Sequence, residues 1–530
     1  MKSKFLIAGF VLTAQQIMAQ IPEDAIRMSW NAPSGTARHQ AIGGAMGSLG
    51  GEITTIFVNP AGLGLYKTGE FVISPGYSFF NGKGNFRGTD ASANSLSKFN
   101  FGTTGFVLGF SDRYSKWKSK AFGIAVNRTA NFNNTTHYKG QNDFSSFSEA
   151  FAEEFSRSGL PIDAPLYNAG LTLGTKLANY TYVIDTATIN GQTEVVGLPQ
   201  RDAILNNRDA LLNQEKTINT KGGITEIAIG FAANMDDKLF IGASLGVPIV
   251  NYERSSTITE SDASGIANNN FNYVTYKEEY TAKGVGLNAK LGLIFKPADL
   301  VRIGLAIHTP SWYGLREETT GRMEADLENY FPPGKNIRVA NEDTIYTQFG
   351  AAVPEFKYDL VSPWKFVLSA SYVLREVEDV TKQKGFITAD IEYVTHRSSR
   401  FASADEEQND DYYDGINDAI KAVYKGALNF RIGGELKFKT LMTRLGFAYY
   451  GNPYKEKTFT GADDEVIRPK RMNISGGLGY RNKGMFVDLT YVHSLNKDVS
   501  FPYRLSDKAN TFALLKESNG NLMVTLGFKF

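Results

Sequence analysis

Three groups of residues in this 530-residue chain have types that could support chemistry: five histidines, an acidic run and an aromatic stripe. His39, His137, His308, His396 and His493 show no metal-ligand spacing, and with no cysteine in the chain a zinc-type site lacks its usual partners. They read as surface or interior residues, and His39, beside Arg38, is the least ordinary of them. The run from Asp405 to Asp418 contains Asp410, Asp411, Asp414 and Asp418 but does not match EF-hand spacing. A solvated loop is expected, with adventitious calcium as the lesser reading. No nucleophile–base pair, phosphate loop or paired catalytic carboxylates can be placed, so the chain is not expected to be an enzyme and no metal or cofactor is assigned. The aromatic stripe is Phe144, Phe147, Phe151 and Phe155, whose spacings of three and four put the rings on one side of a helix. Asp143 is the expected N-cap, Gly159 the stop, and Pro161 lies beyond. A second helical pattern follows with Leu166, Leu173, Leu177 and Tyr180. Either the two stripes pack on each other, or they frame an exposed apolar groove that captures a ligand.

The elements that would position such a stripe begin with a glycine-dense segment, Ala41 to Leu65, which closes on Asn59-Pro60-Ala61-Gly62-Leu63. Gly43, Gly44, Gly47, Gly50, Gly51, Gly62 and Gly64 permit tight turns and close backbone approach, which suits a compact plug inside a barrel or an ordinary linker. Asn59 either hydrogen-bonds a wall, with Pro60 fixing the turn and Ala61 following, or simply terminates the segment. Ahead of it, Lys2 and Lys4, the apolar run Phe5 to Ala14 and Ile17-Met18-Ala19 form a secretory signal peptide over 1–19, so the mature chain is expected to begin at Gln20.

Composition narrows the class. The chain holds 52 Gly, 36 Phe and 26 Tyr, and its 56 basic residues are nearly balanced by 55 acidic ones, which offers nothing to nucleic acid. Absence of cysteine suits export through an oxidising periplasm. A mean hydropathy of -0.25 looks soluble, yet membrane barrel strands alternate lipid-facing and lumen-facing residues and average to similar values.

From Phe71 onward the dominant period is two. Leu428, Phe430, Ile432, Leu436 and Phe438 alternate with Asn429, Arg431, Gly433, Glu435 and Lys437; Ile387, Ala389, Ile391 and Tyr393 alternate with Thr388, Asp390 and Glu392. Strands are expected at 71–80, 99–110, 120–134, 223–234, 238–253, 271–296, 300–315, 346–374, 385–397, 425–439, 441–450, 471–481, 484–494 and 521–530. Their connections alternate strictly between short and long, the longest being 135–222, and the number of strands is even. That is the pattern of an outer-membrane barrel with both termini in the periplasm. The expected fold is therefore all-β, a 14-stranded antiparallel transmembrane β-barrel over 71–530 with a helical extracellular loop over 135–222, and residues 20–70 ahead of it are an N-terminal hatch (plug) or a linker.

On these residues the chain resembles the FadL/TodX outer-membrane transporters of long-chain fatty acids and other hydrophobic compounds. The resemblance rests on Asn59-Pro60-Ala61 ending the glycine-rich segment, Ser362-Pro363-Trp364 before the strand Lys365 to Tyr372, Arg444-Leu445-Gly446-Phe447-Ala448-Tyr449 with Pro453 following, and Gly476-Gly477-Leu478-Gly479-Tyr480. It spans nearly the whole mature chain. What it implies is a monomeric plugged barrel in the bacterial outer membrane that takes up hydrophobic small molecules such as fatty acids by capture at extracellular loops and rearrangement of the hatch. It also implies a lateral opening in the wall, for which Pro75 and the glycines of the early strands are candidate kinks. Partners would be outer-membrane lipids and, through the terminal Phe530, the barrel assembly machinery. A receptor or adhesin, for example for haem, and a lipolytic enzyme of the outer membrane are the alternatives. The hatch is expected to be anchored at Asn59-Pro60 and mobile from Gly43 to Gly51, with Gly43, Gly44, Gly47, Gly50, Asn59, Pro60 and Ala61 as its gating residues.

Overall fold

The computed structural model describes residues 22–530 except 113, 169, 375–383, 405–410, 457 and 460–466; the signal peptide and Gln20 lie outside the described residues. Fourteen antiparallel strands close into one barrel. They are β1 (Glu70–Ile73, continued as Pro75–Phe80), β2 (Leu96–Phe101, continued as Thr104–Ser111), β3 (Trp117–Asn131), β4 (Leu212–Met235), β5 (Leu239–Asp262), β6 (Tyr273–Ala298) and β7 (Val301–His308, continued as Trp312–Asp326). The second half of the wall is β8 (Glu355–Val361, continued as Lys365–Leu374), β9 (Gly385–Val394, continued as Arg400–Ser403), β10 (Ala427–Phe438), β11 (Leu441–Tyr450), β12 (Lys470–Asn482), β13 (Met485–Ser500) and β14 (Ala513–Lys529).

Closure is made by β14 against β1, with Phe71 opposite Phe528 and Ile73 opposite Leu526. Beyond the ladder, Gly69 N–H donates to the Phe530 carbonyl (2.8 Å) and Phe530 N–H donates to that of Gly69 (3.0 Å), so the last residue finishes the seam.

The wall is inverted relative to a soluble protein. Leu428, Phe430, Ile432, Leu436 and Phe438 of β10 point outward and are exposed, whereas Asn429, Arg431 and Glu435 between them are buried. The same holds on β13, where Met485, Val487, Leu489 and Tyr491 face out while Asp488 and Thr490 face in. A period of two places alternate side chains on opposite faces, and an apolar outer belt around a polar interior is stable only when lipid covers the belt.

Two of the short turns show why their residues are there. Lys483-Gly484, between β12 and β13, and Asp236-Asp237, between β4 and β5, have positive φ at both positions (46° and 84°; 53° and 53°), the geometry whose twist matches a hairpin.

Several expected boundaries move. Asn134–Asn142 and the start of β4 pair with each other as strand, so the loop expected over 135–222 is shorter at both ends. These extensions are polar, with Thr217, Asn219 and Thr220 in place of alternating apolar residues, because they stand beyond the membrane belt. The strand expected from 346 begins at Glu355, since Glu342–Ile345 and Thr347–Phe349 are helical turns. The acidic run is partly helix rather than loop: in Asp411–Val423, Tyr413, Ile416 and Ile420 are buried while Asp414 and Asp418 are exposed; Asp410 lies outside the described residues.

Assembled protein in detergent is expected to resist unfolding by SDS and to shift in electrophoretic mobility only on boiling. Deleting Phe530 removes both seam hydrogen bonds, each worth about 1 kcal/mol net, and should lower the heat-modifiable fraction recovered from outer membranes. An unchanged fraction would show that the seam does not need its last residue.

Candidate functional site

The lumen is occupied by residues 22–66. The segment starts at the end of the barrel that carries the long loops, where helix α1 (Pro22–Ser29) packs on the helix Asp411–Val423 and Glu23 pairs with Arg504. Trp30 follows, edge-on to Tyr454 at 6.3 Å, with the Arg471 guanidinium 4.2 Å above its ring and donating to its carbonyl (2.8 Å). The chain then runs through α2 (Ala37–Ala41) and α3 (Thr55–Val58) to a 3-10 turn, Pro60–Leu65, and reaches β1 at the short-turn end. Thr36 caps α2 by accepting from His39 N–H, and Asn59 caps the 3-10 turn by accepting from Ala61 N–H (3.2 Å), with Pro60 at its first position, where a missing N–H costs nothing.

Arg302, Asp390, Glu392, Arg431, Glu435 and Arg444 all face this segment or one another and are buried. Asn59 Nδ2 donates to Gly47 O (2.6 Å) and lies within reach of the carbonyls of Leu293 (3.2 Å) and Leu305 (3.3 Å), so it ties the segment to β6 and β7. The glycine-rich stretch is held as well. Met46 N–H and Gly47 N–H each donate to Asp390 Oδ2 at 3.0 Å, Ser48 and Ser369 share a hydroxyl contact of 2.7 Å, and Arg302 donates to Leu49 O at 2.7 Å.

The freedom expected of Gly43 to Gly51 is therefore not what the glycines provide. A Cβ on Gly43 would sit 2.7 Å from Phe447 O, one on Gly47 2.7 Å from Ser369 Cβ, and one on Gly50 2.9 Å from Gly62 Cα. A Cβ on Gly44 would sit 3.4 Å from His39 Nε2, and its φ of 80° is one that other residues rarely adopt. Here glycine lets backbone approach the wall closely enough for charged wall side chains to bond it.

Two titratable groups of the segment are set by burial. Burial, added to by Arg431, pushes His39 down to about 3, so the ring is neutral. Burial pushes Glu52 up to about 7, against the opposing pull of the Thr36 hydroxyl, Arg38 and Thr54 N–H. Glu52 Oε1 accepts from Thr36 Oγ1 (2.8 Å) and Thr54 Oγ1 (3.0 Å), and Thr54 Oγ1 reaches Thr103 of β2 at 3.1 Å.

Between α1 and the wall lies a cavity of about 140 Å³. Apolar side chains of Met28, Phe57, Val58 and Ile224 share its lining with Glu226, Lys290, Lys365, Glu392 and Arg431. Two of these charges are matched, Lys290 with Glu226 and Arg431 with Glu392 (2.8 Å).

The cavity also reaches Ser34, Asn127 and Thr129, where the wall is incomplete. Thr104–Ser111 pairs with β3 over Ser119 to Val126, but Leu96–Phe101 pairs only with β1, and residues 127–131 of β3 pair only with β4. Strand β2 breaks at Gly102-Thr103 and β1 at Ser74, just ahead of Pro75. The free edge of β3 is met from inside: Ser34 N–H donates to Arg128 O (3.0 Å), and Asn127 Nδ2 donates to Ser34 O (3.0 Å). The N-terminal segment thus satisfies part of a strand edge that the wall leaves open.

The loop residues fall differently from the reading of the sequence. Helix α4 (Phe147–Ser158) is capped by Ser146, with Glu149 closing a capping box, rather than by Asp143, which pairs with Arg87; Gly159 ends it in the left-handed conformation at φ 66°. Phe147 and Phe155 are buried among Leu171, Leu173 and Leu177 of the second helix, α5 (Leu173–Tyr180), and its approach, and Phe151 sits edge-on to Phe147 (5.6 Å) and Tyr276 (5.8 Å). The stripe is taken up by packing inside the loop. Phe144, outside the helix, keeps an exposed ring. A serine and a histidine do meet, Ser29 Oγ and His396 Nδ1 at 3.0 Å, but Ser29 also donates to Ala25 O (2.9 Å) within its own helix, and both are buried. That is helix packing, not the exposed, base-activated nucleophile of a lipolytic site.

Sequence reading missed Ser34, Lys290, Glu226 and Lys365. Lys365 and Lys290 open or interrupt otherwise apolar alternations, which was the available signal; a serine filling a strand edge leaves none.

Because folding raises the Glu52 pKa, the seated segment retains its proton, and its hold weakens as pH rises from the carboxylate's ordinary range through about 7. The shift corresponds to roughly 3 kcal/mol in total. Hydrogen exchange over residues 35–58, corrected for intrinsic rates, should be faster at about pH 8.5 than at about pH 5.5 in the parent and pH-independent in Glu52→Gln. Equal protection of the parent at both pH values would refute this.

No protein-family model and no curated protein matches the sequence. Among solved structures the chain is similar to a Pseudomonas aeruginosa FadL homologue, with a TM-score of 0.53 and 13% identity over 95% of this chain and 100% of that one. A looser likeness is to the P. putida toluene transporter TodX, with a TM-score of 0.49 and 13% identity over 95% and 99% of the two chains. At such identity the likeness is one of fold: with its apolar outer belt, this chain is a 14-stranded membrane β-barrel of the fold seen in the FadL homologue.

Proposed function

We propose that the protein is a passive uptake channel for hydrophobic small molecules such as long-chain fatty acids, with residues 22–66 acting as its hatch. The observation that carries this reading is the cavity that lies between the hatch and the wall and extends to the gap between β2 and β3. An apolar compound entering from the long-loop end has to pass α1 and Trp30, rest against Met28, Phe57 and Val58, and leave beside Ser34, at the open edge of β3. The route outward through the gap leads into the lipid belt rather than across the lumen, so an apolar solute need not cross the charged lower half of the barrel. Displacing Ser34 breaks two hydrogen bonds, a cost of about 1–3 kcal/mol that a ligand burying apolar surface can offset.

Cells producing the parent protein should accumulate a labelled long-chain fatty acid or a neutral aromatic hydrocarbon faster than cells lacking it. Gly47→Val, which forces a side chain into Ser369, should reduce that uptake while leaving the heat-modifiable barrel intact. Parent cells that accumulate neither compound faster than the deletion strain would overturn the uptake reading, and a fully active Gly47→Val variant would remove the hatch from it.

A further inference from the structure

Above the apolar belt, at the end of the barrel that carries the long loops, four lysines stand in one row across four adjacent strands. Lys470 of β12 is opposite Lys497 of β13, Lys497 is opposite Lys516 of β14, and Lys516 is opposite Lys83 of Gly82–Phe86, the extension of β1. Lys497 keeps the phase of the outward Leu489 and Tyr491, and Lys516 that of Leu522 and Leu526, so the row faces away from the lumen. Lys497 lies twelve residues along β13 from Met485. At about 3.3 Å per residue and a tilt of about 40°, that is about 30 Å along the membrane normal, just beyond a belt about 25 Å tall.

Like charges directly opposite one another on a sheet repel. None of the four side chains has an ion pair or hydrogen bond among the described residues. The carboxylates beside them in the ladders are turned elsewhere. Glu517 accepts from Asn134 Nδ2 (2.6 Å) and Asn496 Nδ2 (3.2 Å), Asp498 pairs with Arg471 (3.6 Å), and Asp90, diagonal to Lys83, accepts from Asn85 Nδ2 (2.6 Å). On the outward face of β6 and β7 the cations are matched instead, Lys277 with Glu279 (2.5 Å), Arg322 with Glu324 (2.9 Å) and Arg316 with Glu355 of β8.

We propose that the lysine row is a docking surface for a phosphorylated glycolipid of the lipid A type, a sugar head group carrying two phosphates and several acyl chains. This is separate from the uptake reading and takes the long-loop end to face the cell exterior. Neighbouring strands stand about 5 Å apart, so the row spans about 15 Å and offers several ammonium groups to two phosphates at once, where a lipid with one phosphate can meet only part of it. The long lysine stems lie along the belt while their charged ends reach the head-group level. The acyl chains run down over Leu495, Tyr491 and Leu522, which continue the same outward face. The bound phosphates offset the repulsion that the protein leaves within the row.

The test titrates the full-length protein in detergent with diphosphoryl lipid A, phosphatidylglycerol and phosphatidylethanolamine, read by native mass spectrometry. The parent should hold diphosphoryl lipid A at least about tenfold more tightly than either phospholipid. Lys497→Gln with Lys516→Gln should remove that preference, and Lys497→Arg with Lys516→Arg should keep it. Lys277→Gln with Arg322→Gln, which removes the same charge from matched positions, should leave it within about twofold. Heat-modifiable mobility confirms that each variant is folded. A parent that holds phosphatidylglycerol as tightly as diphosphoryl lipid A, or equal losses in the two glutamine variants, would make the row a general cationic surface and overturn the assignment. An unchanged preference in Lys497→Gln with Lys516→Gln would overturn it as well, and each of these results leaves the uptake reading standing.

Discussion

An apolar outer belt forces every second side chain of the wall inward, and in this barrel those inward side chains include many charges. Arg302, Asp390, Glu392, Arg431, Glu435, Arg444 and Asp488 are all buried, so each must find partners inside. Some pair across neighbouring strands, as Arg444 does with Glu435 and Asp488, both at 2.6 Å. The main chain of the lumenal segment meets others: Asp390 accepts from two amides of the glycine-rich stretch as well as from Ser369, and Arg302 donates to the Leu49 carbonyl. A buried unpaired polar group costs about 1–3 kcal/mol. The interior therefore needs a segment that brings exposed backbone close to the wall, and few sequences do that as well as one dense in glycine.

That requirement also explains why the hatch is held at many points yet remains a movable element in the proposed mechanism. Its contacts are many and individually modest: hydrogen bonds between wall side chains and its backbone, ion pairs such as Arg38 with Glu435, and apolar packing by Ile42, Met46, Ile53, Ile56 and Leu63. Charges that lose a partner when the segment moves include Arg38, Glu52, Arg302 and Asp390, and water or ligand has to replace it. Glu52 already favours its neutral form when buried. The places where a ligand would do most are thus the lumenal cavity and the open edge of β3 beside Ser34.

Much of this was legible in the sequence, and the limits follow from the same physics. Strand number and the inverted faces were readable because alternation on strands such as β10 and β9 is a local property. Asn59-Pro60-Ala61 was readable as an anchored turn, since a cap followed by proline needs only its own residues. The Gly43 to Gly51 stretch was misjudged because glycine signals freedom in isolation, whereas close approach depends on what stands opposite, here Phe447 and Ser369. The phenylalanine stripe gave the helix but not its partner, as periodicity fixes a face and says nothing about what covers it. The wall gap was hinted at by Pro75 and fixed only by which edge groups of β2 and β3 lack a ladder.

The central claim is that the lumenal segment moves when the channel works. Because the chain has no cysteine, Ser48→Cys with Ser369→Cys introduces a single pair at a place where the two hydroxyls now stand 2.7 Å apart. Once oxidised, this pair should fix the hatch to β8 and abolish uptake of labelled fatty acid, and reduction should restore it, with each single-cysteine variant active throughout. Uptake that is the same with the disulfide formed and reduced would show that the ligand passes without displacing the segment, and would contradict the account.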